Sequence, residues 1–123
     1  MSVMEDKRAE QKEALEVLID FNDRVLKNMN IIVKELSGER LEDTNQFLKG
    51  IVDAMNWEIE VVNGTMELLN EGKERINKEE FNAAVTRFGD AIKANEDAVM
   101  AEAVTALIPM FENLGAAARE VTA

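Results

Sequence analysis

This chain has 123 residues and contains neither histidine nor cysteine, so any reactive group it presents must be a carboxylate, an amine, a guanidinium, an amide or a hydroxyl. Without cysteine there is no thiolate nucleophile, no sulfur ligand and no disulfide. Without histidine, helical carboxylate proteins that hold paired irons through Glu-x-x-His are excluded, as are phosphorelay bundles and acid-base work by imidazole. Catalysis by a carboxylate pair is the remaining route. The glutamates fall mostly on the polar faces of the helices predicted below, where solvation is their role. No cofactor and no metal is expected, and the chain reads as a non-enzyme.

Two stretches still invite a chemical reading. Ile76-Asn77-Lys78-Glu79-Glu80-Phe81 imitates the second half of a calcium-binding EF-hand loop. In that register the earlier ligand positions and the turn glycine fall on Leu69, Glu71, Lys73 and Glu74, so an ion would have no cage. The same residues read better as a helix start: Asn77 as N-cap, Glu80 three positions on, and a mostly acidic first turn. The other stretch holds Glu58, which lies on one helical line with Thr44, Ile51 and Thr65, between two apolar stripes. A carboxyl buried there would be pushed toward its neutral form and could serve as a proton-sensitive switch or ligand anchor. At the rim it would instead pair with a neighbouring Lys or Arg.

The elements that position these residues are helical. One proline, no tyrosine and an abundance of Ala, Leu, Glu, Lys, Met and Val favour helix, and no segment alternates long enough to propose a strand. The spacing predicts a first helix from Met4 to Leu36, whose stripe runs through Leu15, Leu18, Asn22, Val25, Met29 and Ile32, with Val17, Phe21 and Ile31 lying off it. Ser37-Gly38 ends it, and so short a connection sends the next helix back antiparallel.

That second helix is expected from about Arg40 to Asn70. It carries two apolar stripes, one through Leu48, Met55 and Val62, the other through Phe47, Gly50, Ala54, Trp57, Val61 and Gly64. Asn63-Gly64 is a common turn dipeptide, but both stripes cross it without a change of phase, so the helix is predicted to continue. The heptad spacing of Gly50, Trp57 and Gly64 lets another backbone approach above and below a large indole. After a connection to Ile76, a third helix is expected from Lys78 to Ile108, interrupted in its stripe at Asn95. Pro109 removes a backbone donor and clashes with the preceding turn, so a kink or break is expected there, with Met110, Phe111 and Leu114 continuing an apolar face beyond it.

The expectation is thus one all-α domain over residues 1–123: an antiparallel bundle of three long helices plus a shorter C-terminal helix or kinked extension after Pro109. The apolar arc exceeds what one small bundle hides, which predicts a homodimer contacting through Phe47, Gly50, Trp57, Val61, Gly64, Met110, Phe111 and Leu114. The net charge of −11 argues against nucleic acid and anionic membranes as partners. The absence of cysteine and of an apolar leader or span points to a cytoplasm.

The function that follows is a helical interaction module binding a partner protein or client helix. Small acidic helical proteins with exposed methionine and aromatic grooves are generally similar to export or flagellar-type chaperones, a resemblance of composition and shape only. A bundle enclosing a small apolar ligand is the further alternative.

Overall fold

The computed structural model describes residues 3–123, with side chains from residue 5 onward; the side chain of Met4, expected on the first stripe, lies outside the described residues. The chain is all-α, with α1 Val3–Leu36, α2 Thr44–Gly64, the single turn α3 Met66–Leu69, α4 Lys78–Ala94 and α5 Asp97–Thr122. The most extensive packing is between α1 and α5; α2 packs on α1 and α4 on α5. Arg40 bonds Asp97 at the end where α1 finishes and α5 begins, and Arg119 bonds Asp23 further along, so α1 and α5 run antiparallel.

The first helix follows its heptad line. Leu15, Leu18, Asn22, Val25, Met29, Ile32 and Leu36 are all buried. Gly38 turns the chain with φ 113, a left-handed value that favours glycine. The second helix starts at Thr44 rather than Arg40, because residues 41–44 form a turn closed by side chains. The Thr44 hydroxyl donates to Glu35 Oε1 at 2.7 Å and accepts from the Leu41 amide at 2.8 Å. Arg40 is meanwhile held by Asp97.

Asn63-Gly64 does divide the second segment. Thr65 leaves the helical backbone (φ −121, ψ 12), and its hydroxyl donates to the Val61 carbonyl at 2.6 Å, competing with the helix ladder. The redirected turn lets the adjacent Leu68 and Leu69 both bury. The following loop is ordered by Asn70, whose Oδ1 accepts from the amides of Arg75 and Ile76, and by Arg75, which donates to the carbonyls of Leu69 and Glu71. Asn77 then caps α4, its side chain accepting from the Glu80 amide at 3.0 Å.

The expected third helix is two helices, and the chain turns at Asn95 instead of Pro109. Asn95 adopts φ 55, ψ 37, a conformation asparagine tolerates better than most residues, and its amide closes α4 on the Ala91 carbonyl. Beyond it the buried line changes phase: Val99 is exposed, while Met100, Val104, Leu107, Phe111, Leu114 and Ala118 are buried. That line crosses Pro109 unbroken, so α5 continues through the proline, which is itself exposed. Interior proline costs about 3 kcal/mol. Burying Leu107 and Phe111 on either side at about 1.5–3 kcal/mol each offsets it. The all-α antiparallel bundle therefore stands, built from four long helices.

Candidate functional site

The buried face of α2 joins the apolar stripe of Leu48, Met55 and Val62 to the line that looked like a gap between stripes, Thr44, Ile51 and Glu58, with Thr65 just beyond. Glu58 is 0 % exposed, and neither carboxyl oxygen has a hydrogen-bond partner. Burial alone pushes its pKa from 4.5 to about 8, so the side chain holds its proton at neutral pH. Among the described residues no cation faces it. The charged residues of α1 at this height, Asp20, Asp23 and Arg24, are exposed, and Asp23 is tied to Arg119.

Two contacts fix the antiparallel register of α1 on α2, Glu35 with Thr44 and Phe21 with Trp57, and two more carry it on past α2, Gln11 with the Leu68 amide of α3 and Arg8 with Glu71 in the loop after it. This register brings Asn22 of α1 to the level of Glu58. Asn22 is likewise 0 % exposed; its amide nitrogen donates to the Phe111 carbonyl of α5 at 3.0 Å, and its Oδ1 has no donor. Gly115 makes room for that bond, since a Cβ at 115 would lie 2.8 Å from Asn22 Nδ2. The centre of the molecule thus holds three oxygens with no donor, and a neutral Glu58 carries one O–H. No group of three or more acidic residues among the described residues is arranged to hold a metal ion.

The second feature lies on the outer side of the same two helices. Trp57 is 38 % exposed and meets Phe21 edge-on, ring centroids 5.0 Å apart at 70°. Val17, one turn before Phe21, is 58 % exposed, and Val61 is half-buried. Gly50 and Gly64 are exposed, and a Cβ on either would meet nothing within 4 Å. A surface groove of about 330 Å³ continues the face past Val25, Phe47, Gly50 and Ala54.

The structure therefore separates the residues grouped in the sequence as one contact region. Phe47, Gly50, Trp57, Val61 and Gly64 line one side of α2. Met110 is half-buried on α5, and Phe111 and Leu114 are fully buried core residues, which removes them from any surface. The reason is the continuation of α5 through Pro109, which keeps both on the inward line.

Sequence reasoning placed Asn22 on the core line without singling it out. Its signal was a polar residue on a heptad core line, whereas Glu58 was marked by lying between two apolar stripes. Nothing in the sequence pointed to Gly115, whose importance depends on which α1 residue faces it. No helix among the described residues is long and apolar enough to cross a membrane. No curated protein and no solved structure matches the chain. Residues 13–116, which contain every residue of both features, match the model of a family described as a domain of unknown function (DUF8042), and the chain belongs to that family.

Proposed function

We propose that this chain is a non-enzymatic helical interaction module whose working surface is the α1/α2 face around Phe21 and Trp57. The observation that carries the reading is the placement of Trp57. A tryptophan packed edge-on against Phe21, yet more than a third exposed, with glycines about two helical turns to either side facing open space, has the form of an interface anchor. Aromatic residues at an interface centre supply contact area at little entropic cost, and neighbouring glycines admit a close backbone. The acidic chemistry of the chain finds no comparable support, because Glu58 is sealed in the core with its proton. An export-type chaperone would use the same face and differ only in its client.

The test is affinity capture from the native cytoplasm with the full chain and with Trp57→Glu. The expected outcome is loss of the captured protein by the variant, with helical circular dichroism unchanged because the indole is partly solvated in the free chain. A captured protein retained by Trp57→Glu but lost on substitution of the exposed Val99 would move the surface to α5 and overturn the reading.

A further inference from the structure

We infer that the occupant of the α1/α2 face is a second copy of this chain, docked about a two-fold axis perpendicular to the helices, so that the two α1 helices run antiparallel across the interface. The inference rests on the reading of that face as the working surface and deepens it by naming partner and orientation.

The argument is charge complementarity along the face. On the half toward the N-terminus of α1 the exposed rim carries Glu10, Glu13 and Asp20, joined from α2 by Glu60. On the other half it carries Arg24, Lys27 and Lys34, joined from α2 by Lys49. Lys7, Arg8 and Lys12 at the acidic end and Asp53 near the middle run against the pattern, and Glu39, Glu42 and Asp43 lie on the turn beyond the basic ends of the two helices; within α1 and α2 themselves each half keeps a majority of one sign. Among the described residues none of the eight rim charges is used in an ion pair, whereas Arg8, Arg40, Arg75, Arg119 and Lys73 all are.

A face with one acidic and one basic end is self-complementary only under a two-fold operation that reverses it. An isologous contact has that property: each patch meets the same patch turned around. The parallel arrangement would set acid on acid in molecules that already carry −11 each, which opposes association.

The geometry agrees with this placement. The point where the sign changes, between Asp20 and Arg24, is the level of the Phe21 and Trp57 rings. The axis therefore passes through the aromatic pair, setting the anchors of both copies at the centre and the charges at the rim, as in well-formed interfaces. At 1.5 Å per residue the 21 residues of α2 give a paired strip about 30 Å long, and two helices make it about 20 Å wide. That footprint of about 600 Å² per copy is somewhat below the usual 800 Å² per partner, enough for a modest, reversible dimer.

Sedimentation of the full chain over about 1–100 µM tests the inference, a range suited to an interface of this size. Wild type is expected to approach twice its 13.8 kDa. One variant reverses the basic half, Arg24→Glu with Lys27→Glu; the other reverses the acidic half, Glu13→Lys with Asp20→Lys. All four positions are exposed, so folding is not at stake. Each variant alone should weaken self-association by about tenfold or more. An equimolar mixture should restore it, because acid ends then meet basic ends on both sides of the axis.

The second variant is less negative overall than wild type, so if general repulsion governed association it would dimerise better. That result would overturn the inference, as would a wild type that stays monomeric at about 100 µM. If wild type is monomeric while Trp57→Glu still loses a captured protein, the second copy is excluded and the working face survives. If Trp57→Glu alters neither association nor capture, the face itself fails.

Discussion

The two helical hairpins of this molecule are built to different rules. All five buried polar or charged residues found among the described residues, Asn22, Glu35, Thr44, Glu58 and Thr65, belong to α1, α2 or the turn after α2. The α4–α5 hairpin buries only apolar side chains and glycine, with Phe81 and Phe111 stacked at 6.0 Å. Exposure divides the same way: Val17, Ile31, Leu41 and Trp57 are exposed large hydrophobic residues of the first half, and Val99 is the second half's counterpart. An apolar hairpin, capped at the start of α4 by Asn77, has a core that does not titrate. One that buries a carboxylate and displays an indole has its stability tied to pH and its outer face available for contact. The α4–α5 half acts as the scaffold on which the α1–α2 half is held.

The largest effect that would test this division is Phe111→Ala. Removing a fully buried phenylalanine from the line shared with Phe81 should cost about 3–5 kcal/mol. Trp57→Ala, at a site 38 % exposed, should cost clearly less in the free chain. Urea denaturation of the two variants at low protein concentration measures both. Equal losses would mean that the indole is as much a part of the core as Phe111, and the contrast between the halves would collapse.

Next in size is the pH dependence carried by Glu58. Burial raises its folded pKa to about 8 from 4.5, so the neutral form is the one that favours folding. Its contribution is fully present below pH 4.5, where folded and unfolded chains both hold the proton, and is lost as pH rises toward about 8. The slope is about 1.4 kcal/mol per pH unit across that window. Glu58→Gln keeps the shape without the titration, so it should flatten the curve and be more stable than wild type by up to about 3 kcal/mol near pH 7. Glu71, Asp97 and Glu120 act in the opposite sense. Hydrogen bonds from Arg8, Arg40, and Lys73 with Arg75, respectively, hold their carboxyls below the usual range, so their contributions fade only as pH falls below about 4. Thermal melts from pH 4.5 to 8.5 that run parallel for wild type and Glu58→Gln would show that Glu58 meets water or a cation in solution.

The sequence revealed different amounts of the two halves for physical reasons. The α1 line, the Gly38 turn and the Asn77 cap were legible because each depends on residues close in the chain. The dual stripes of α2 were legible too, but the buried face was only half foreseen: the Leu48, Met55 and Val62 stripe is covered together with the line of Thr44, Ile51 and Glu58 beside it, while the Phe47 and Trp57 stripe stays at the edge. Which line wins depends on the neighbour's register, which no local pattern contains. The turn at Asn95 was visible as an interruption and was outweighed by the steric argument against Pro109. The deciding signal was the phase: Met100, Val104, Leu107, Phe111 and Leu114 keep one line through the proline, whereas the line from Phe81 through Phe88 does not continue into it.

The smallest effect probes the joint between the halves, where Asn22 of α1 donates to the Phe111 carbonyl of α5 beside Gly115. Gly115→Ala brings two opposed terms. Alanine in a helix interior is favoured over glycine by about 1 kcal/mol. Its Cβ would stand 2.8 Å from Asn22 Nδ2, displacing a buried donor from its acceptor, which costs about 1–3 kcal/mol. The nearby Arg119 guanidinium, at 3.4 Å from the same point, lies on a flexible, half-exposed side chain and can give way. The second term should prevail and leave a net loss of about 1 kcal/mol, so the decisive measurement is a double-mutant cycle with Asn22→Ala. With the amide gone, the steric term vanishes and only helix propensity remains: Gly115→Ala should then stabilise by a few tenths to about 1 kcal/mol. The reversal of sign between the two backgrounds is specific to a side chain pressed against the glycine. A loss of the same size in both would place the strain on the α1–α5 backbones themselves, making the close approach of the halves, rather than the asparagine bridging them, the feature that requires glycine.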